Sequence, residues 1–158
     1  MQTWRRFLAL AAPERMIVLE AAARLCLTWL DVRFLGMDSR KVHLERRATA
    51  TGAADQSAKV VEAQKIARLE SSAARHLFFS PNCLVQSLAL RAMLLRRGID
   101  PDLRIGARQE PGKFEAHAWL EFNGTVLNDA SGEHHHFTPF EDAPTAAETH
   151  AAAGTRSR

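Results

Sequence analysis

Only two cysteines, Cys26 and Cys83, occur in this chain of 158 residues. Two thiols make no disulfide framework, so stability must come from a packed core, and a reducing cytoplasm is the expected setting. Long apolar runs are also missing. Behind Arg5 and Arg6 the apolar stretch Phe7 to Ala12 ends at Pro13-Glu14-Arg15, too short for a secretory h-region, and the segment is expected to remain unprocessed. No stretch approaches the roughly eighteen apolar residues of a membrane span. Charge of one sign is scarce as well. The net charge is +3, and the arginines are spread out rather than gathered into the stripe that a nucleic acid would require. What remains is an ordinary globular composition, 46% hydrophobic and 25% charged, at a length that suits one domain.

Three helices are predicted. Pro13 to Leu30 reads as the first, with Pro13 at N1 and Glu14 in the first turn. Met16, Ile17, Val18, Leu19, Leu25, Cys26, Leu27, Trp29 and Leu30 would cover most of its surface, while Glu20 and Arg24 can pair at i, i+4. A helix this apolar must bury itself in the protein, a partner or a membrane surface, with burial in the protein expected first and docking to a partner next. The charge run through Arg40, Lys41, Arg46 and Arg47 reads as a solvated face, and Thr49 to Ser57 as a linker. Val60, Val61, Ala63, Ile66, Ala67 and Leu69 then give a second amphipathic helix from Ser57 to about Arg75. A third runs from Pro81 to about Arg97, with Leu84, Leu88, Ala92 and Leu95 on one face, Arg96 and Arg97 at its negative end, and Gly98 as the left-handed stop.

The start of that third helix carries the chemistry. Ser80 reads as N-cap and Pro81 as N1, which sets Cys83 at N3, where free N–H donors and the positive end of the helix dipole favour a thiolate. A cysteine there is either a nucleophile or a small buried hydrophobe. Downstream, Leu103 to Arg108 is a plausible first strand and Gln109 to Lys113 a loop. Phe114 to Phe122 alternates like a strand, Asn123-Gly124 signals a turn, and Thr125 to Asp129 reads as the returning strand. In a two-residue loop Asp129 would face Ala118 and miss His117. A three-residue loop with Gly124 in a bulge would set His117 directly opposite Asp129, with Cβ atoms about 4.5–5.5 Å apart. The bulged register is the expected one.

The run N-C-L-x-x-S-L-A-L at 82–90, R-R-G at 96–98, A-H-A-W at 116–119 and N-D at 128–129 together resemble the transglutaminase-like cysteine protease domain of lasso peptide maturation proteins. The resemblance covers roughly residues 60–140. It implies an α+β fold, a transglutaminase-like or papain-like core in which a central helix carrying the cysteine packs on an antiparallel sheet, here preceded by N-terminal helices. It further implies a triad of Cys83, His117 and Asp129 that removes the leader from a ribosomal precursor. The partners it implies are the precursor leader, a separate leader-recognition protein and an ATP-dependent lasso cyclase. The N-terminus is too short and too helical for a fused recognition domain, so a stand-alone leader peptidase is expected, with Pro13 to Leu30 as a candidate docking surface.

The expected division is an N-terminal helical region at 1–56, a catalytic core at 57–142 and a flexible tail at 143–158. Cys83 would attack the scissile carbonyl, His117 would move the proton, and Asp129 would fix the imidazole tautomer. Backbone N–H groups near Cys83 would hold the oxyanion; a papain-like glutamine six residues before the cysteine is replaced by Leu77. Gln86 is assigned a supporting role in substrate binding. Trp119 shares a face with His117, as a wall of the cleft or as core. His134, His135 and His136 would point different ways in an extended segment and are read as a polar loop on the rim rather than a metal site. No cofactor is called for. The same triad also suits an acyltransferase that passes the thioester to an amine, and a binding module that has lost its chemistry is the remaining alternative.

Overall fold

A computed structural model of the chain describes residues 9–35, 53–110, 113–129 and 131–140. The basic run at 40–47, the tail at 143–158, and residues 49–52 of the expected linker lie outside the described residues. The rest of that linker is already helical.

Helix α1 spans Ala12–Leu30 and continues as a π-helical turn over Asp31–Leu35; α2 spans Ala53–Ala74 and α3 spans Cys83–Leu95. Glu14 serves two purposes at the start of α1. Its carboxylate accepts the Ala11 N–H at 3.4 Å and pairs with Lys65 of α2 at 2.9 Å, placing a negative charge in the first turn, where the dipole favours it. Four antiparallel strands follow: β1 (Asp102–Glu110), β2 (Lys113–Phe122), β3 (Thr125–Val126) and β4 (Thr138–Pro139), in the spatial order β3-β2-β1-β4. The architecture is α+β, as the sequence predicts, with the sheet packed on the helix that begins at Cys83.

α3 lies between α1 and α2 on one side and β2 on the other. Its buried residues are Val85, Ser87, Ala89, Leu90, Arg91, Met93 and Leu94, so the core face differs from the expected Leu84, Leu88, Ala92 and Leu95, all of which are only half-buried. A helix apolar nearly all round and covered from two directions offers periodicity little to decide between. Leu90, Met93 and Leu94 are each 0% exposed, and complete burial of such side chains contributes about 1.5–3 kcal/mol apiece. Arg91 is buried with its guanidinium on the Pro101 carbonyl at 3.2 Å and on Asp100 at 3.2 Å. Gly98 stops the helix at φ 69°, as expected. Glu20 reaches across from α1 to Arg97 at 2.6 Å and does not spend itself on Arg24; the Arg97 hydrogen bond holds its carboxyl below the ordinary range despite partial burial.

α1 buries a narrow face. Ala21 and Leu25 are 0% exposed, whereas Met16, Leu19, Leu27, Leu30 and Phe34 are 66%, 54%, 56%, 42% and 75% exposed. With spacings of three, four or multiples of these they form one stripe along the outer side of the helix. No helix among the described residues is long and apolar enough to cross a membrane.

Candidate active site

The helix cap sits two residues later than expected. Asn82 is extended (φ −72°, ψ 171°) and its side-chain oxygen accepts the Val85 N–H at 2.9 Å, while Gln86 donates its side-chain amide to the Pro81 carbonyl at 2.8 Å. Asn82, and not the equally competent Ser80, is the cap. Cys83 therefore opens α3 as its first residue, not its third. At that position its own N–H and that of Leu84 precede the intrahelical ladder, so two backbone donors lie next to the thiol. Both cysteines are half-buried free thiols.

His117 sits on β2, and the hairpin that should bring Asp129 to it does not take the bulged register. Asn123 and Gly124 have φ of 49° and 73°, the two positive values of a type I′ turn, and Phe122 pairs with Thr125 and Glu121 with Val126. Asn-Gly is the preferred pair for that turn, and its twist suits the strands better than a longer loop. Continued in this register, Asp129 would end opposite Ala118. The ladder stops first: Leu127 still donates to the Leu120 carbonyl at 2.9 Å, but the Leu120 N–H is taken by the side chain of Asn128 at 2.8 Å. The chain leaves the sheet at that point, β3 ends at Val126 instead of running to residue 129, and Asp129 swings to the His117 side. His117 Nε2 and Asp129 Oδ2 stand 3.8 Å apart.

That separation is an ion-pair distance, longer than a hydrogen bond, and His117 Nε2 is buried with no hydrogen-bond partner among the described residues. Asp129, with its side chain 3% exposed, is bound elsewhere. Ser131 donates its hydroxyl to Oδ1 at 2.9 Å. His134 donates to Oδ2 twice, from its backbone N–H at 2.6 Å and from ring Nδ1 at 2.7 Å. Burial works against the charge on Asp129, but the His134 backbone and ring, the Ser131 hydroxyl and the Glu133 backbone N–H outweigh it and hold the carboxyl down at about 2. Asp129 is thus a carboxylate at any physiological pH.

Cys83, His117 and Asp129 line one cavity of about 580 Å³, together with Gln86, Arg68 and Arg75. A second, of about 570 Å³, lies on the other side of His117 against Arg108, Glu115, His136 and Phe137. Trp119 lines neither: it is 2% exposed, with its ring stacked on His117 at 5.8 Å and its Nε1 donating to Glu121 at 2.8 Å, which places it in the core behind the histidine. Phe137 closes on the same imidazole at 5.2 Å. The three histidines lie in a 3₁₀ turn, Glu133–His136, rather than in an extended segment, and among the described residues no three His, Cys, Asp or Glu side chains are grouped as metal ligands. His134 was expected only on the rim; its spacing of five residues from Asp129 is the one signal that could have tied the two together.

A family model described as the transglutaminase-like superfamily matches residues 26–142. Over 52 residues, 33% of this chain, the sequence is 46% identical to the microcin J25-processing protein McjB of Escherichia coli. That stretch spans about a quarter of the relative, 24% of its length. No solved structure matches. With the family match running from within α1 to beyond β4, over well more than half of its length, the chain belongs to the transglutaminase-like superfamily.

Proposed function

We propose that this protein is a cysteine peptidase that cleaves the leader from a ribosomally made lasso peptide precursor. The observation that carries the reading is that Cys83, His117 and Asp129, contributed by a helix start, a strand and a loop, line a single cavity. His117 turns Nε2 toward Asp129, which leaves Nδ1 as the nitrogen that exchanges a proton with the Cys83 thiol. Cys83 Sγ attacks the scissile carbonyl carbon, and the Cys83 and Leu84 N–H groups receive the developing oxyanion. The imidazolium then protonates the departing amine, and water hydrolyses the thioester with His117 as base. Gln86 supports the site from its own wall by bonding Pro81 and so holding the entry of the helix.

The similarity to a microcin-processing protein and the motif resemblance to lasso maturation proteins support the substrate class. We assign the chemistry to residues 57–142 and a docking role to the outer stripe of α1, which suits a separate leader-recognition protein; the cyclase would act on the released product. Both cysteines are free, in keeping with a cytoplasmic setting.

The test is mass spectrometry of a candidate precursor incubated with the protein and its recognition partner. Cleavage at one leader–core junction, abolished by Cys83→Ala and by His117→Ala, is the expected result. A product joined to an added amine instead of ending in a free carboxylate would identify an acyltransferase. Intact precursor in the presence of a partner shown to bind it, or function retained by Cys83→Ala, would sink the peptidase reading in favour of a binding module.

A further inference from the structure

We propose that His134 is a positioning residue for Asp129, and that through Asp129 it sets the orientation of His117. The inference rests on the proposed roles of Cys83, His117 and Asp129. Oδ2 is the oxygen that faces His117 Nε2 at 3.8 Å, and the same oxygen receives both the backbone N–H and the ring N–H of His134 at 2.6 and 2.7 Å. Oδ1 is tethered to Ser131 at 2.9 Å. The carboxylate is therefore held at both oxygens, and the group that decides where Oδ2 points is His134.

The ring of His134 is itself confined. Its side chain is 16% exposed, it lies 6.0 Å from the Trp119 ring and 3.9 Å from the His135 ring, and the charged or titratable neighbours on its own turn are Glu133, His135 and His136. Trp119 also stacks on His117 at 5.8 Å, so the two imidazoles that converge on Asp129 share one buried indole as a spacer. The two His134 donors already occupy the two lone pairs of Oδ2, so His117 meets this oxygen at ion-pair distance rather than as a third hydrogen-bond donor, and that approach depends on the His134 ring keeping the carboxylate plane in place. Without that ring, the carboxylate keeps only the backbone N–H groups of His134 and Glu133 and the Ser131 hydroxyl.

Two readouts test this. One is kcat and KM on the precursor with its recognition partner. The other needs no turnover: the pH dependence of iodoacetamide alkylation of Cys83 in the protein alone, followed on the Cys83 peptide by mass so that Cys26 does not interfere. His134→Ala should lower kcat about 10- to 100-fold with KM unchanged, short of the loss expected when a general base itself is removed, on the order of 10²–10⁴-fold. It should move the alkylation midpoint in the same direction as Asp129→Asn, by less. His134→Asn, whose amide can donate in place of Nδ1–H, should recover most of both, and His134→Gln, one methylene too long, should not. A His134→Ala protein with wild-type kcat and a wild-type alkylation profile, beside an Asp129→Asn protein that is altered in both, overturns the proposal. If His134→Ala fails to fold, equal behaviour of the Asn and Gln variants overturns it. An alkylation profile indifferent to His117→Ala would instead remove the Cys83–His117 pair itself, and the positioning role would fall with it.

Discussion

Asn128 joins the three elements of the candidate site with one side chain: it donates to Ser87 Oγ of α3 at 2.9 Å and accepts the Leu120 N–H of β2 at 2.8 Å. Ser87 Oγ in turn donates to the Ala118 carbonyl at 3.0 Å. The helix that starts at Cys83, the strand that carries His117 and the loop that leads to Asp129 are thereby fixed to one another. Ser87 is 0% exposed, so its hydroxyl must be paired inside the protein.

Replacing Asn128 by Ala strands the Leu120 N–H, while the Ser87 hydroxyl loses one donor but keeps its bond to the Ala118 carbonyl. A loss of about 1–3 kcal/mol for the buried N–H left unsatisfied is expected, read as a lower midpoint in urea denaturation. Because Asn128 also takes the chain out of the sheet, the variant should lose precursor cleavage even where it remains folded. An Asn128→Ala protein with wild-type stability would show that the contact is not what ends the ladder.

Gly106 stands opposite His117 in the β1–β2 register, and a Cβ there would lie 3.0 Å from the Phe137 Cβ, the Thr138 carbonyl and the Trp119 ring. Two of these neighbours are a backbone group and a Cβ, which cannot swing aside. Gly106→Ala should cost about 1–3 kcal/mol through overpacking and should push β4 away from β1, loosening the Phe137 wall of His117. Thermal unfolding of the variant at neutral pH is the check, and an unchanged midpoint would mean that β4 is held too weakly to matter.

Much of the site could be read from residue types and their order, and what could not depends on contacts between distant segments. Cys83, His117 and Asp129 were visible because a cysteine beside a helix start, a histidine in an alternating run and an aspartate after Asn-Gly are local patterns. The cap was not, since Ser80 and Asn82 are both competent and only the fold shows which one reaches Val85. The hairpin register escapes for a different reason: Asn-Gly marks the turn, but the departure of the chain after Leu127 depends on Ser87, some forty residues away, as the partner of Asn128. The three helices and the two long strands follow from periodicity, whereas β4 and the strand residues Gln109, Glu110 and Lys113, expected as loop, do not; nor does the core face of α3, because Leu84, Leu88 and Leu95 are as apolar as the residues that fill the interior. His134 lies inside a run of three like residues, where only its spacing of five from Asp129 sets it apart.

Asp129 also sets an acid limit. Its carboxyl sits at about 2 in the folded protein against an ordinary 3.8, so the folded state binds fewer protons than the unfolded chain between those values. The stabilisation is fully present above about pH 4 and is lost as pH falls toward 2. It amounts to about 2 kcal/mol. Asp129→Asn should therefore be less stable than wild type at neutral pH, and the two urea midpoints should converge by pH 2. A constant gap across that range would place the contribution elsewhere.

Glu70 imposes the opposite dependence. On α2 it is 0% exposed, and neither carboxyl oxygen has a partner of normal hydrogen-bond geometry among the described residues. Burial raises its carboxyl to about 8 against an ordinary 4.5, with the Ser71 hydroxyl pulling the other way. Here the folded state holds a proton that the unfolded chain gives up, so stability is greatest below about pH 4.5 and declines as pH rises toward 8. By pH 7 the accumulated cost is about 3 kcal/mol. Glu70→Leu, close in volume and with nothing to ionise, should be more stable than wild type at pH 8 and should gain less of an advantage at pH 5. Urea denaturation of both proteins across pH 5–8 decides it: parallel curves would mean that Glu70 finds water or a partner when it ionises, while curves that diverge as pH rises would identify the buried carboxyl as a cost the fold carries.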